Sequence, residues 1–205
     1  MELILRNCTP EDAPQIGKIF RDSHNVLRQS RGGLHNDKYI DAIISKTDPE
    51  IYSILTAGST LILAQIKGAG QVIGMGAFTT SPFSRLIGSS YSHGAGVLEA
   101  FQRGKSGVNV GRMIREEILA RASAMGFRKL YGFSAPEAIG FHKRFGAVFY
   151  PASNRFQKEY GLEIHYYEIE IKKSFWNRIR IEPYAYALGL FYGRALSSIR
   201  RMLGR

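Results

Sequence analysis

Residues 97–111 read Val97-Leu98-Glu99-Ala100-Phe101-Gln102-Arg103-Gly104-Lys105-Ser106-Gly107-Val108-Asn109-Val110-Gly111. An apolar strand end runs into a basic, glycine-rich turn and then into a helix, in which Val110, Met113, Ile114, Ile118, Leu119 and Ala122 recur at spacings of three and four. Strand, glycine turn and helix start together make an anion cradle. Free amides and the positive end of the helix dipole converge where small residues let a phosphate come close. The stretch therefore predicts a phosphorylated ligand.

Working outward, the helix stops at Met125-Gly126, a strand covers Lys129 to Ser134, and Pro136 opens a short helix that ends at Gly146. Ala147 to Tyr150 and Leu162 to Ile171 read as the last two strands. Upstream, Leu3-Ile4-Leu5 is a first strand, and Thr9-Pro10-Glu11-Asp12 has the hydroxyl, proline and acids of a helix start, with Ile16, Ile19 and Phe20 following at helical spacing. A polar loop, Gln29 to Asn36, precedes a second helix through Tyr39, Ile43 and Ile44. Two strands, Thr60 to Ile66 and Gln71 to Thr79, are joined by Lys67-Gly68-Ala69-Gly70, the mark of an antiparallel hairpin. Residues 81–94 read as a loop leading into a strand near Gly94 to Leu98.

At 205 residues, 44% of them hydrophobic, the chain can bury one substantial core. The lone Cys8 excludes an internal disulfide framework or a cysteine-rich zinc site, and reads most simply as a small hydrophobe at the end of the first strand. Nothing has metal-ligand spacing, so no metal is expected. No apolar run is long enough for a spanning helix, and the N-terminus does not read as a signal peptide, so a cytoplasmic protein is expected.

The formal charge of +11 is uneven. Residues 172–205 carry eight basic side chains against Glu182 alone, while residues 1–171 are nearly balanced. From Tyr184 onward Leu188, Phe191, Tyr192, Ala195, Leu196, Ile199, Met202 and Leu203 share one helix face, with arginines largely opposite. Such a basic amphipathic helix suits docking on its own domain, a homodimer contact, or the anionic inner surface of a membrane, with nucleic acid a weaker fit. The expected division is 1–172 for the globular domain and 173–205 for the extension.

The order of elements, the glycine turn after the fourth strand and the segment Ala138-Ile139-Gly140-Phe141-His142-Lys143-Arg144-Phe145-Gly146-Ala147 resemble the GNAT superfamily of acyl-CoA-dependent N-acyltransferases. The last segment is similar to the family's A-x-x-F-Y-x-x-x-G-F. The resemblance spans roughly residues 1–172 and implies an α/β (α+β) fold: a mixed, mostly antiparallel central sheet with flanking helices. It also implies acetyl-CoA or another acyl-CoA as cofactor and a small amine-bearing acceptor. Strands four and five should splay, the pantetheine arm lying in the opening and the diphosphate on the glycine turn.

Carried over by position, the resemblance assigns the cofactor to Val97, Leu98, Gln102, Arg103, Gly104, Lys105, Ser106, Gly107, Val108, Asn109, Val110, Gly111, Arg112 and Phe141. It places a carbonyl-polarising backbone amide near Val97 to Glu99. This chain departs from the family in three ways. The phosphate loop is longer than Q/R-x-x-G-x-G/A, so its register stays open; His142 stands where a tyrosine usually protonates the departing thiolate; and Ala135 replaces a frequent asparagine. His142 is the candidate acid, through an imidazolium near its ordinary pKa, or a spectator packed on pantetheine. Glu99, at the end of the fourth strand, is the candidate base, with His93 the alternative base or water-holder. His35 is a further residue that could line the acceptor pocket.

Overall fold

The computed structural model describes residues 1–30, 41–42, 44–104, 107–150 and 165–174. The chain divides into two units, Met1–Lys172 and Lys173–Arg205. The helix expected from Tyr184 and half of the residues of the helix expected at 39–44 lie outside the described residues, as does His35.

The first unit is built on one seven-stranded sheet in the order β1-β2-β3-β4-β5-β7-β6. Its strands are β1 (Leu3–Asn7), β2 (Ser59–Ile66), β3 (Val72–Thr79), β4 (Ser89–Val97), β5 (Lys129–Ser134), β6 (Val148–Tyr150) and β7 (His165–Glu170). Every neighbouring pair is antiparallel except β4 and β5, which run parallel. The helices are α1 (Ala13–Ser30), α2 (Asp48–Thr56), α3 (Pro82–Ile87), α4 (Val110–Ala124) and α5 (Ile139–Lys143). The fold class expected from sequence is thus observed. No helix among the described residues is long and apolar enough to cross a membrane.

Local chemistry accounts for the elements. The hairpin expected at Lys67 to Gly70 joins β2 to β3, closed by Ile66 N–H donating to the Gln71 carbonyl at 2.9 Å. At Thr9 the Asp12 carboxylate accepts the Thr9 N–H at 2.8 Å and pairs with Arg6 at 2.7 Å, which fastens the start of α1 to β1.

Two elements differ from the sequence expectation. The helix Asp48–Thr56 was not foreseen, although Thr47-Asp48-Pro49-Glu50 carries the same signature as Thr9 to Asp12: Glu50 accepts the Thr47 N–H at 2.7 Å. Residues 81–94 are not a loop either. The Ser81 hydroxyl caps α3 by accepting from Ser84 N–H at 3.2 Å, the helix ends at Gly88, and β4 begins at Ser89. Polar small residues hid this strand because Ser89, Ser90 and Ser92 are buried in it, Ser90 donating to the Thr79 carbonyl at 2.7 Å.

The core lies between the sheet and its helices, with Ile16, Ile19, Ile62, Ile73, Met75, Phe78, Ile118 and Phe127 fully covered. Helix α4 sits close on β3 because Gly74 and Gly76 lack side chains. A Cβ on Gly76 would lie 2.7 Å from Ile114 Cγ2 and 3.0 Å from Ile118 Cδ1. Gly76→Val should therefore push α4 off the sheet and lower unfolding free energy by about 1–3 kcal/mol, read from a urea titration. An unchanged midpoint would mean that α4 is free to shift.

Candidate active site

Strands β4 and β5 part company within the sheet. Their pairing runs from Ser89↔Lys129 to Ser92↔Gly132, after which β4 continues to Val97 beside β3 and β5 to Ser134 beside β7. Two glycines set this split. On β4 the register slips between Met75↔Gly96 and Ala77↔His93, so Gly94 and Ala95 together oppose Gly76 in a bulge, and Gly94 takes φ +61°, open to few other residues. At the apex, a Cβ on Gly132 would stand 2.8 Å from Tyr167 Oη and 3.0 Å from the Ser92 carbonyl.

The N-terminus of α4 stands at the mouth of the split. Asn109 caps it, Oδ1 accepting Arg112 N–H at 3.1 Å, which leaves the Val110 and Gly111 amides without a partner among the described residues. Gly111 faces across the opening: a Cβ there would lie 3.6 Å from Phe141 and 4.0 Å from Val97 Cγ2. Beside it is a cavity of about 300 Å³ lined by Asn109, Arg112, Glu116, Phe141, Arg144 and Phe145. Arg112 is tied to Glu116 at 2.8 Å, whereas Arg144 has no carboxylate partner among the described residues.

Several residues expected at the cofactor have other duties. Leu98 and Val110 are core side chains, so only their backbones could meet a ligand. Gln102 turns back on its own loop, Nε2 donating to the Val97 carbonyl at 2.7 Å. Two of the amides expected to polarise a carbonyl are occupied: Leu98 N–H donates to Ile73 O and Glu99 N–H to Asp22 Oδ2, both at 2.9 Å. The bulge at Gly94 and Ala95 also releases β4 backbone groups from the ladder with β3. Val108 packs at the edge of the core and Gly107 is a turn residue with φ +74°. Gly104 ends the 3-10 turn Glu99–Gly104, the Arg103 side chain is undescribed, and Lys105 and Ser106 lie outside the described residues.

The three candidate catalytic residues separate. His93 follows the last β4 residue paired with β5, on the opposite face from Ser92. Its Nε2 hydrogen-bonds Ser59 Oγ at 2.8 Å and its ring stacks on Tyr91 with centroids 5.4 Å apart. Burial pushes its pKa down to about 4. Glu99 is exposed and begins the turn beyond the far end of β4, roughly 13 Å of strand separating His93 from Val97. It therefore stands apart from His93, at the other end of β4.

His142 is buried on α5 and stacked on Tyr167, centroids 4.3 Å apart. Its Nδ1 accepts from Arg115 Nη2 at 3.4 Å, because a guanidinium can only donate. The proton of the neutral ring is thereby assigned to Nε2. Burial, with the Arg115 charge second, pushes the His142 pKa down to about 3, so the expected imidazolium acid is corrected to a neutral N–H donor.

Arg115 was missed by sequence reading. It is 3% exposed and donates to Ser92 Oγ at 2.9 Å and Tyr167 Oη at 3.3 Å besides His142. Its signal was present: Gly111, Arg115, Ile118 and Ala122 fall on one stripe of α4, so the charge points where apolar residues should.

Both histidines are neutral in the fold and would protonate once unfolded. Their contribution is complete above about pH 6.5 and is lost as pH falls towards 4, with a slope of about 1.4 kcal/mol per pH unit for each. His93→Gln and His142→Phe should each flatten the fall of the urea midpoint across that window. A parallel curve would show that the ring already carries its proton in the native state.

No protein-family model and no curated protein sequence matches the chain. Among solved structures it is similar to the PaiA N-acetyltransferase of Thermoplasma acidophilum in complex with coenzyme A, at TM-score 0.64 and 12% identity over 83% of this chain and 99% of that one. It is also similar to a GCN5-related N-acetyltransferase of Rhodopseudomonas palustris, TM-score 0.61 with 18% identity over 83% and 96% of the two chains. A third is the GNAT phosphinothricin acetyltransferase of Sinorhizobium meliloti in complex with acetyl-CoA, TM-score 0.59 with 18% identity over 85% and 91%. The fold of this chain is that of the GNAT acetyltransferases.

Proposed function

We propose that this protein transfers an acetyl or other short acyl group from acyl-CoA to a primary amine of a small molecule or peptide, by direct attack of the amine on the thioester carbonyl. The observation that carries the reading is the β4–β5 split with an unpaired helix start at its mouth. Similar folds hold coenzyme A or acetyl-CoA. The diphosphate would meet the Val110 and Gly111 amides, with Arg144 close by and Phe141 against the arm. From Val97 back to Ser92 the strand covers about 16 Å, a span suited to pantetheine.

The reacting carbonyl then lies at the apex, near the backbone groups released by the bulge. His93 and His142 occupy opposite faces there. His93, too weak a base to store a proton at neutral pH, holds the water that carries it away from the amine. His142 presents Nε2–H to the sulfur. The basic tail is left to a homodimer contact or a membrane surface.

Thermal shift and calorimetry with acetyl-CoA test the cofactor, and free-thiol release over a panel of amines tests the reaction. Binding with turnover of at least one amine is expected. A second reading, a binding module on this fold, is favoured by Gln102 being turned away from the loop's mouth and by the absence of a tyrosine at position 142. Failure of both assays would select it.

A further inference from the structure

Arg115 lies at the base of the split with no carboxylate partner among the described residues. Its described partners are the Ser92 hydroxyl, the Tyr167 hydroxyl and His142 Nδ1, with its guanidinium carbon 6.0 Å from the Phe141 and Tyr167 ring centroids. None of these is an anion, and Arg115 has no other partner among the described residues. A buried guanidinium left in this way is expensive, and an anion arriving beside it would relieve the cost. Arg115 also sits one turn below Gly111 on α4, about 6 Å further along the helix axis. The charge thus lies inward of the helix start, towards the apex where Ser92 and Gly132 pair.

His142 Nε2 has no hydrogen-bond partner among the described residues and is not fully enclosed. It therefore reaches accessible space. The charged and titratable groups around the ring are Arg115 from α4 and Tyr167 from β7, with Phe149 and Phe141 as the other neighbours. Arg115 grips one ring nitrogen and so keeps the other as a donor, with positive charge behind it.

We infer that Arg115, acting through His142, makes this end of the split a receptor for thiolate, so that coenzyme A leaves as its sulfur anion rather than as a protonated thiol. Resting on the acyl-CoA reading above, the reaction is attack of a free amine on the thioester carbonyl. The acceptor ammonium gives one proton to water to become the free amine, the C–N bond forms as the C–S bond breaks, the electron pair of C–S goes to sulfur, and the second proton lost from nitrogen as the amide forms also passes to water. Nε2–H hydrogen-bonds the sulfur without giving up its proton. Arg115 is a positioning residue in this scheme and His142 the group that touches the leaving atom.

The test titrates the thiol of reduced coenzyme A bound to the full chain, followed by ultraviolet thiolate absorbance. The bound thiol should titrate about one to three pH units below free coenzyme A, as expected beside a positive charge. Arg115→Met should move it back close to the free value, and Arg115→Lys should restore part of the shift. His142→Phe should shrink it as well, which keeps the test decisive if the Arg115 variants do not fold. A bound thiol that titrates with free coenzyme A overturns the inference, as does a shift that survives Arg115→Met or His142→Phe. Absence of any coenzyme A binding removes the acyltransferase reading and this inference together; bound coenzyme A with an unshifted thiol removes this inference alone.

Discussion

Gly111→Asp should lower affinity for acetyl-CoA by about 100-fold or more, equivalent to about 2.7 kcal/mol or more, in calorimetric titration. The added carboxylate would stand at the helix start that is to receive a diphosphate, replacing attraction by repulsion. The fold should tolerate it. A Cβ at this position meets Phe141 and Val97 at 3.6–4.0 Å, ordinary contact, and an acid in the first turn of α4 is favoured by the helix dipole. Unfolding free energy should stay within about 0.5 kcal/mol of the parent. Affinity unchanged in a folded variant would place the diphosphate elsewhere. The pairing of these two readouts separates a lost seat from a lost fold, which activity alone would not do.

Glu168→Gln should destabilise the protein by about 3–5 kcal/mol in urea unfolding, because it strands a buried ammonium. Lys129 on β5 and Glu168 on β7 pair at 3.2 Å, and both side chains are under a tenth exposed. Glu168 also accepts from Tyr166 Oη at 2.8 Å, a bond the glutamine can keep. The loss should therefore come from the charge and not from the tyrosine. Adding Lys129→Met should recover most of it, since two uncharged groups of similar volume no longer need each other. Additive losses in the double variant would contradict the pairing. The ion pair ties β5 to β7, and β5 forms one wall of the split, so the single variant should also weaken coenzyme A binding.

Much of the scaffold was legible because its signals are local. Helical spacing in Val110 to Ala122, the hairpin turn at Lys67 to Gly70 and the cap at Thr9 to Asp12 each depend on residues a few positions apart. The helix Asp48–Thr56 has an equally local signal in its Thr-Asp-Pro-Glu start. The strand from Ser89 was not legible, since its serines satisfy their hydroxyls against β3 and α4, partners far away in sequence. The site followed the same pattern. Asn109, Gly111 and Phe141, read from motif position, lie together around the start of α4, while the contacts of Gln102 and His142 could be known only from their surroundings.

From its residues alone this chain determined a mixed sheet with a glycine turn feeding a helix, because periodicity, caps and turns are written in neighbouring positions. Only the tertiary structure decided the electrostatics of the apex. Arg115, Ser92, His142 and Tyr167 arrive from α4, β4, α5 and β7. Whether an imidazole is an acid or a neutral donor depends on burial and on a charge 3.4 Å away, which only packing brings there.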